Sequence, residues 1–390
     1  MRKIACIFIA ILLVVAFAGC GNTKFTGENI DVDGISYIDK GGSLINEKIR
    51  QAVSKGKKTI TIKDTNFIIE ESIVLPSDFH ITFKDCILRM GDRTFCNMFH
   101  NEHFEDGTGD RNIVIEGQGN VVFDGGKYNG LSESSTRSAA TPPQYVQNTI
   151  LFSNVSGFSV SGIRIVNQRW WGINCYACSD GSFKDIDFLA DDQRIDQKTW
   201  KLVHGLLRDD YDSTYVKNAD GIDLRRSCHD ITIENITGFT EDDTIALTLL
   251  NGDFEKKFVP SDNKGDIYNI SIKNIKAQSY CSLVRLLSQS DAEMYNITVE
   301  NVEDVSDGVT HFDYGVCALR IGDTHQYGTG AASEDDMHDI KVANLSSSGE
   351  YVLKLAGKMR DVNITGLKAL NDRTELISEK HTGTNVKVTE

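Results

Sequence analysis

Four segments of one sequence pattern decide the fold: His229–Ile236 (HDITIENI), Tyr268–Ile275 (YNISIKNI), Tyr295–Val302 (YNITVENV) and His338–Leu345 (HDIKVANL). Each opens on a polar turn and continues as β-branched residues alternating with polar ones. Each then reaches an Asn before the next apolar residue. Alternation with a period of two is the mark of a strand with one buried face. Working outward, the same shape begins at Lys58, Asp78, Arg111, Gly157, Gly181 and Arg360. Successive starts lie roughly 20 to 27 residues apart, or about twice that where an insertion intervenes. Little room remains between strands for a crossover helix, so a βαβ repeat is excluded. The pattern predicts an all-β chain, a parallel β-solenoid whose coils stack about 4.8 Å apart.

The rest of the sequence fits one solenoid domain, residues 41–390. Glycine is plentiful at 33 residues and proline scarce at 4, as many tight turns require. Gly41–Gly56 carries apolar residues at Leu44, Ile45, Ile49 and Val53, and predicts a short amphipathic helix capping the open end of the first coil. Residues 20–40 read as a tether. Inserts near 129–147, 190–218, 252–266 and 322–337 interrupt the coils and are expected to wall a cleft. The recurring Asn-x-Ser/Thr triplets at Asn235, Asn269, Asn296 and Asn363 are read as turn chemistry rather than glycosylation sites.

The first residues form an address label. Met1-Arg2-Lys3 is basic, Ile4–Phe17 is apolar, and Phe17-Ala18-Gly19-Cys20 resembles the small-small-Cys ending of a bacterial lipoprotein signal. The apolar run is shorter than the roughly 20 residues a spanning helix needs. Residues 1–19 are therefore expected to be removed, Cys20 to carry lipid, and the domain to work outside the cytoplasmic membrane. Seven further cysteines (Cys86, Cys96, Cys175, Cys178, Cys228, Cys281, Cys317) are odd in number and widely spread. They read as small strand residues, not a disulfide framework. The chain has 41 basic and 56 acidic residues, a net charge of -15, which excludes nucleic acid as a partner. Nothing in the sequence calls for an oligomer, and a monomer is expected.

Acidic residues gather at Asn218-Ala-Asp220-Gly-Ile-Asp223 and Glu241-Asp242-Asp243-Thr-Ile-Ala. Asp220 and Asp243 are one coil apart on this period and are expected side by side. Carboxyls held that close split their pKa values, which supplies an acid and a base at neutral pH. Consecutive strand residues face opposite ways, so Asp242 and Asp243 share a cleft only at a bend.

Together the two motifs resemble the Asn-Thr-Asp and Asp-Asp-Cys motifs of glycoside hydrolase family 28, the polygalacturonases and rhamnogalacturonases. Asn112-IVIEGQGNVVFDGG and Trp170-Trp171-Gly-Ile are similar to neighbouring coils of that family, and the likeness runs over roughly residues 40 to 370. The resemblance implies a right-handed parallel β-helix and a glycoside hydrolase that inverts the anomeric carbon, with no metal and no cofactor. It implies Asp242 as general acid, with Asp220 and Asp243 activating water. The sequence departs from the family twice. Ser279-Tyr-Cys281-Ser stands where the family has Gly-His-Gly, and Arg320-Ile321-Gly322 lacks the Lys of Arg-Ile-Lys. Those departures point away from bulk polygalacturonate. The candidate substrate-binding residues are Asp223, Trp171, Arg285, Arg320, His325 and His204. Trp200 is a further stacking candidate, and at most one of Trp170 and Trp171 is expected in the cleft. Two other functions fit the same residues: a lyase or epimerase holding calcium on the Asp cluster with Arg285 as base, or a surface protein that binds glycan without cutting it.

Overall fold

The computed structural model describes residues 25, 27–132, 147–190, 194–203, 212–250, 252–261, 263–289, 291–306, 315–323 and 332–389. The repeats form the strands expected of them. β12 (Ser179–Leu189), β17 (His229–Thr240), β19 (Ile267–Ser279), β21 (Met294–Asp304) and β23 (Met337–Ser347) pair in parallel, each with the next. The inward residues Ile231, Ile270, Ile297 and Ile340 stack in register and are buried. Burying side chains of this size contributes about 1.5–3 kcal/mol each. The architecture is a right-handed parallel β-helix.

Each of these strands turns a corner at a residue in the left-handed region, Asp185, Asn235, Asn274, Asn301 and Asn344, with φ between 55 and 60°. Each has a second such residue near its start, Asp180, Asp230, Asn269, Asn296 and Asp339. Asn tolerates that region because its short amide bonds locally. Here the amides also bond from coil to coil. Asn235 donates to Asp185, Asn274 to Asn235, Asn301 to Asn274 and Asn344 to Asn301. Asn269 and Asn296 continue a second such ladder from Asp230. Turn chemistry thus accounts for three of the four triplets. Asn363 differs: it is an exposed strand residue in β24 (Tyr351–Ala369), beside Lys341. Preceding the corners, His229, Tyr268, Tyr295 and His338 form an outward stack with ring centroids 4.6, 5.1 and 5.3 Å apart.

Helix α1 (Gly41–Ser54) caps the first coil. Ile45, Ile49 and Ala52 are its buried apolar residues, whereas the expected Val53 is 48% exposed. Glu70, from the first coil, accepts the Gly42 and Ser43 amides and so caps the helix from a distance. A Cβ on Gly42 would meet the Glu71 carbonyl at 2.2 Å, which explains a glycine there. The stretch expected as a tether is folded from Asn29 onward, because β1 (Asn29–Val32) and β2 (Ile35–Ile38) pair as an antiparallel hairpin. The 190–218 insert contains a small antiparallel sheet of β13 (Arg194–Asp196), β14 (Lys201–Val203) and β15 (Tyr215–Val216). The 252–266 insert contains helix α2 (Asp253–Phe258). Most of the 129–147 insert and half of the 322–337 insert lie outside the described residues, as does Cys20. The seven cysteines are free thiols, five of them buried. Cys175, Cys178 and Cys228 pack in the core, where burial pushes the Cys178 and Cys228 thiols well above their usual range.

Replacing Asn274 by Ala removes both ladder bonds and leaves a Cβ-bearing residue without amide compensation in the left-handed region. The variant is expected to lose roughly 1–2 kcal/mol in urea unfolding, and Asn274→Gly to lose less. Equal losses in the two variants would assign no cost to the backbone conformation.

Candidate active site

One face of the helix is built from short strands whose outward residues form a row. Register aligns Asn174 of β11 (Trp171–Tyr176), Asp223 of β16 (Ile222–Arg225), Ala246 of β18 (Ile245–Leu249) and Arg285 of β20 (Ser282–Ser288). The row continues to Arg320 of β22 (Cys317–Ile321) and Lys354 of β24. The intervening residues point into the core, as Ile222, Ile245, Val284 and Leu319 do. Asp220 and Asp243 precede β16 and β18 on successive coils, with the Gly221 amide bonded to the Asp243 carbonyl. A cleft of about 490 Å³ lies over this part of the row, lined by Asp220, Asp223, Asp242 and Asp243 together.

Asp242 and Asp243 reach the same cleft because residues 241–244 form a bend before β18 begins. The hydroxyls of Thr240 and Ser279 both donate to the Asp242 carbonyl at 2.7 Å. The Asp243 amide donates to the Asp242 carboxylate, and the Asp243 carboxylate accepts the Ser282 amide at 3.0 Å.

The environments push these carboxyls apart. Burial, then the charges of Asp223, Asp242 and Asp243, raises the Asp220 pKa well above the carboxylate range. Burial raises Asp223 to about 7, opposed by Arg225. Asp243 is raised by burial, tempered by Arg285. Asp242 goes the other way. Burial opposes its charge, but Lys217, 2.6 Å from its Oδ2, and then Arg285 outweigh that penalty and lower its pKa. Neighbouring coils therefore give their carboxyls opposite tendencies, Asp220 toward the neutral form and Asp242 toward the ionised one.

Of the expected substrate-binding residues, Asp223, Trp171 and Arg285 line the cleft. Trp170 lines it as well, contrary to the expectation from strand alternation. Its φ of 144° breaks the alternation before β11 starts, so both rings turn to the same side. Arg320 lies one rung past Arg285, near Asp323 at 3.7 Å, and is not part of the cleft lining. Trp200 packs edge-on against Phe95 and under Arg93, away from the cleft. His204 and His325 lie outside the described residues.

Four residues of the site escaped the sequence reading. Lys217 immediately precedes the first Asp motif. Arg225 follows Asp223 by two positions, hence on the same strand face. It meets Asp223 at 3.3 Å and Glu255 of α2 at 3.2 Å, and it covers the Trp171 ring at 4.3 Å. Glu255 sits in an insert with no motif to mark it. Cys281 falls where the resembled family has its His, and its thiol lies within 4.8 Å of carboxylate oxygens of Asp242 and Asp243. The strand period could have identified Arg225 but not the others.

Residues 102–255 match the family model for Glycosyl hydrolases family 28. The matched segment contains Asp220, Asp223, Asp242 and Asp243, in agreement with the resemblance carried by the two motifs. In fold, the chain is similar to a hyperthermoactive exopolygalacturonase from Thermotoga maritima, at 12% identity and a TM-score of 0.51 over 88% of each chain. It is also similar to a tailspike protein mutant of E. coli bacteriophage HK620 in complex with pentasaccharide, at 15% identity and a TM-score of 0.57. That likeness covers 89% of this chain and 61% of the tailspike chain. At such identities the likeness concerns the fold alone. No curated protein sequence matches the chain.

The raised Asp223 pKa has a consequence for stability. An aspartate free in the unfolded chain titrates near 4. The protonated side chain therefore favours the fold fully below about pH 4, and that contribution is lost as pH rises through about 7. Asp223→Asn stays neutral throughout. Its unfolding free energy, compared with wild type in urea at pH 5 and pH 8, is expected to gain on wild type at the higher pH. A constant difference between the two proteins would rule out the shifted carboxyl.

Proposed function

We propose that the protein is a glycoside hydrolase of the bacterial cell envelope, anchored through lipid on Cys20, that cleaves a poly- or oligosaccharide with inversion at the anomeric carbon. The observation that carries this reading is the meeting of Asp220, Asp242 and Asp243 from neighbouring coils in one cleft, with Lys217 2.6 Å from Asp242. There the Asp220 pKa is raised and the Asp242 pKa lowered. Such a pair supplies the acid and the base that glycosidic hydrolysis needs. Asp220 gives its proton to the leaving oxygen. Asp242 takes a proton from water as the water oxygen bonds to the anomeric carbon. This order reverses the one implied by the family resemblance, and the physical reason is Lys217, which favours the charged form of Asp242. Asp243, held by the Ser282 amide and Arg285, helps orient the water.

Binding follows from the remaining lining. The Trp170 and Trp171 rings offer an apolar wall to a sugar face. The buried Trp170 Nε1 and Asp223 Oδ2 have no hydrogen-bond partner among the described residues and suit sugar hydroxyls. The net charge of -15 favours a neutral or locally Arg-read glycan over a polyanion. Calcium-dependent lyase chemistry is less well supported. The Asp242–Asp243–Cys281 group has ligand-type atoms within 4.8 Å of one another, but Lys217 and Arg285 already supply its countercharge, and a thiol is a poor partner for calcium.

A glycan panel with product sizing and anomer detection by NMR tests the activity. Asp220→Asn and Asp242→Asn are each expected to lose about 10²–10⁴-fold in kcat with the product anomer inverted in wild type. A retained anomer, an unsaturated product, or binding without cleavage would overturn the reading.

The pH profile tests the roles. Activity is expected to fall on the alkaline side as Asp220, whose pKa burial and the neighbouring carboxylates raise, loses its proton. Removing the Lys217 charge raises the Asp242 pKa, so Lys217→Met should move the acid limb of kcat/KM upward. Movement of the alkaline limb instead would return the acid's role to Asp242.

A further inference from the structure

The capped end of the helix carries a groove of about 530 Å³ between α1 and the free edge of β3 (Thr59–Lys63), far from the cleft. Its floor includes Phe25, Ala52, Ile60 and Ile62, and its rim carries Lys48, Lys55 and Lys57. No acidic residue lines it, and among the described residues none of these lysines forms an ion pair. That is a local excess of positive charge in a chain of net charge -15. Two of the exposed large apolar side chains, Ile35 (39%) and Val53 (48%), belong to elements at this same end.

Chain length says what covers the groove. Phe25 is five positions beyond Cys20. An extended chain spans at most about 3.6 Å per residue, so Phe25 lies within roughly 18 Å of any lipid attached there. A domain tethered that closely must bring one end to the bilayer, and lysines act on anionic headgroups only within about a Debye length. We propose that the Lys48–Lys55–Lys57 groove seats on the anionic headgroups of the bilayer that holds the lipid of Cys20. This rests on the envelope-anchored reading above. It also gives the enzyme a posture. The cleft lies four to five coils from the cap through the β3–β6–β8–β10–β12–β17 pairings, where β6 is Phe79–Met90, β8 is Asp110–Asp124 and β10 is Val155–Val166. At about 4.8 Å per coil, an upright helix holds the cleft roughly 20 Å above the groove, open to glycan outside the membrane.

Vesicle flotation tests the seat, using the chain from residue 20 with Cys20→Ser, which retains every described element and carries no lipid. Vesicles of phosphatidylcholine alone are compared with vesicles containing 30% phosphatidylglycerol. The protein is expected to partition onto the anionic vesicles and to be released by salt. Lys48→Glu, Lys55→Glu and Lys57→Glu together should weaken partitioning by at least about fivefold per lysine. Circular dichroism checks that the triple variant is folded. Reversing three exposed lysines elsewhere, Lys341, Lys368 and Lys387, serves as the control. Equal binding to neutral and anionic vesicles, or equal loss in the control, would overturn the proposal. Mass spectrometry of Cys20 in the full chain judges the anchor separately: an unacylated Cys20 removes the anchor, and flotation alone then decides the surface.

Discussion

A parallel coil closes only if the chain turns the same corner, at the same height, on every lap. In this protein that constraint falls on single residues in the left-handed region, and Asn meets it with an amide that bonds to the coil before. The corner ladder runs through Asp185, Asn235, Asn274, Asn301 and Asn344 although the laps between them are 50, 39, 27 and 43 residues long. Lap length is free because the corners are not. The inserts can therefore differ in size while the strands keep a common register, and a side chain placed outward on one coil stands beside its counterpart on the next.

That register builds the cleft. It aligns Asn174, Asp223, Ala246 and Arg285 on one outward row while their neighbours fill the core. Two departures from strand regularity then concentrate chemistry on the row. The bend at residues 241–244 brings two consecutive carboxylates to one side, and the strained φ of Trp170 does the same for two indoles. Strain of this kind persists where surrounding packing over-determines it, and it is common at sites of function.

Sequence pattern made the solenoid, the cap and the Asp pair legible because each depends on a local rule: period-two alternation, helix periodicity, a one-coil spacing. What it missed depends on neighbours in space. Val53 matches the helical stripe but lies outside the contact with the first coil, and Ala52 is buried instead. Trp170 and Trp171 obey alternation only if a strand already exists at that point, and it begins one residue later. Glu255 enters the site through a helix in an insert, which no repeat could announce.

The sequence by itself determined that the chain winds into stacked coils and that Asp220, Asp223, Asp242 and Asp243 fall on adjacent laps, since both follow from residue order and backbone stereochemistry. Only the tertiary structure decided in which direction the pKa of each of those carboxyls is pushed. A carboxyl pKa is set by burial and by charges within a few ångströms. Here those charges come from Lys217, 25 residues before Asp242, and from Arg285 on the following coil. Distance in space, not in sequence, sets the field at the site.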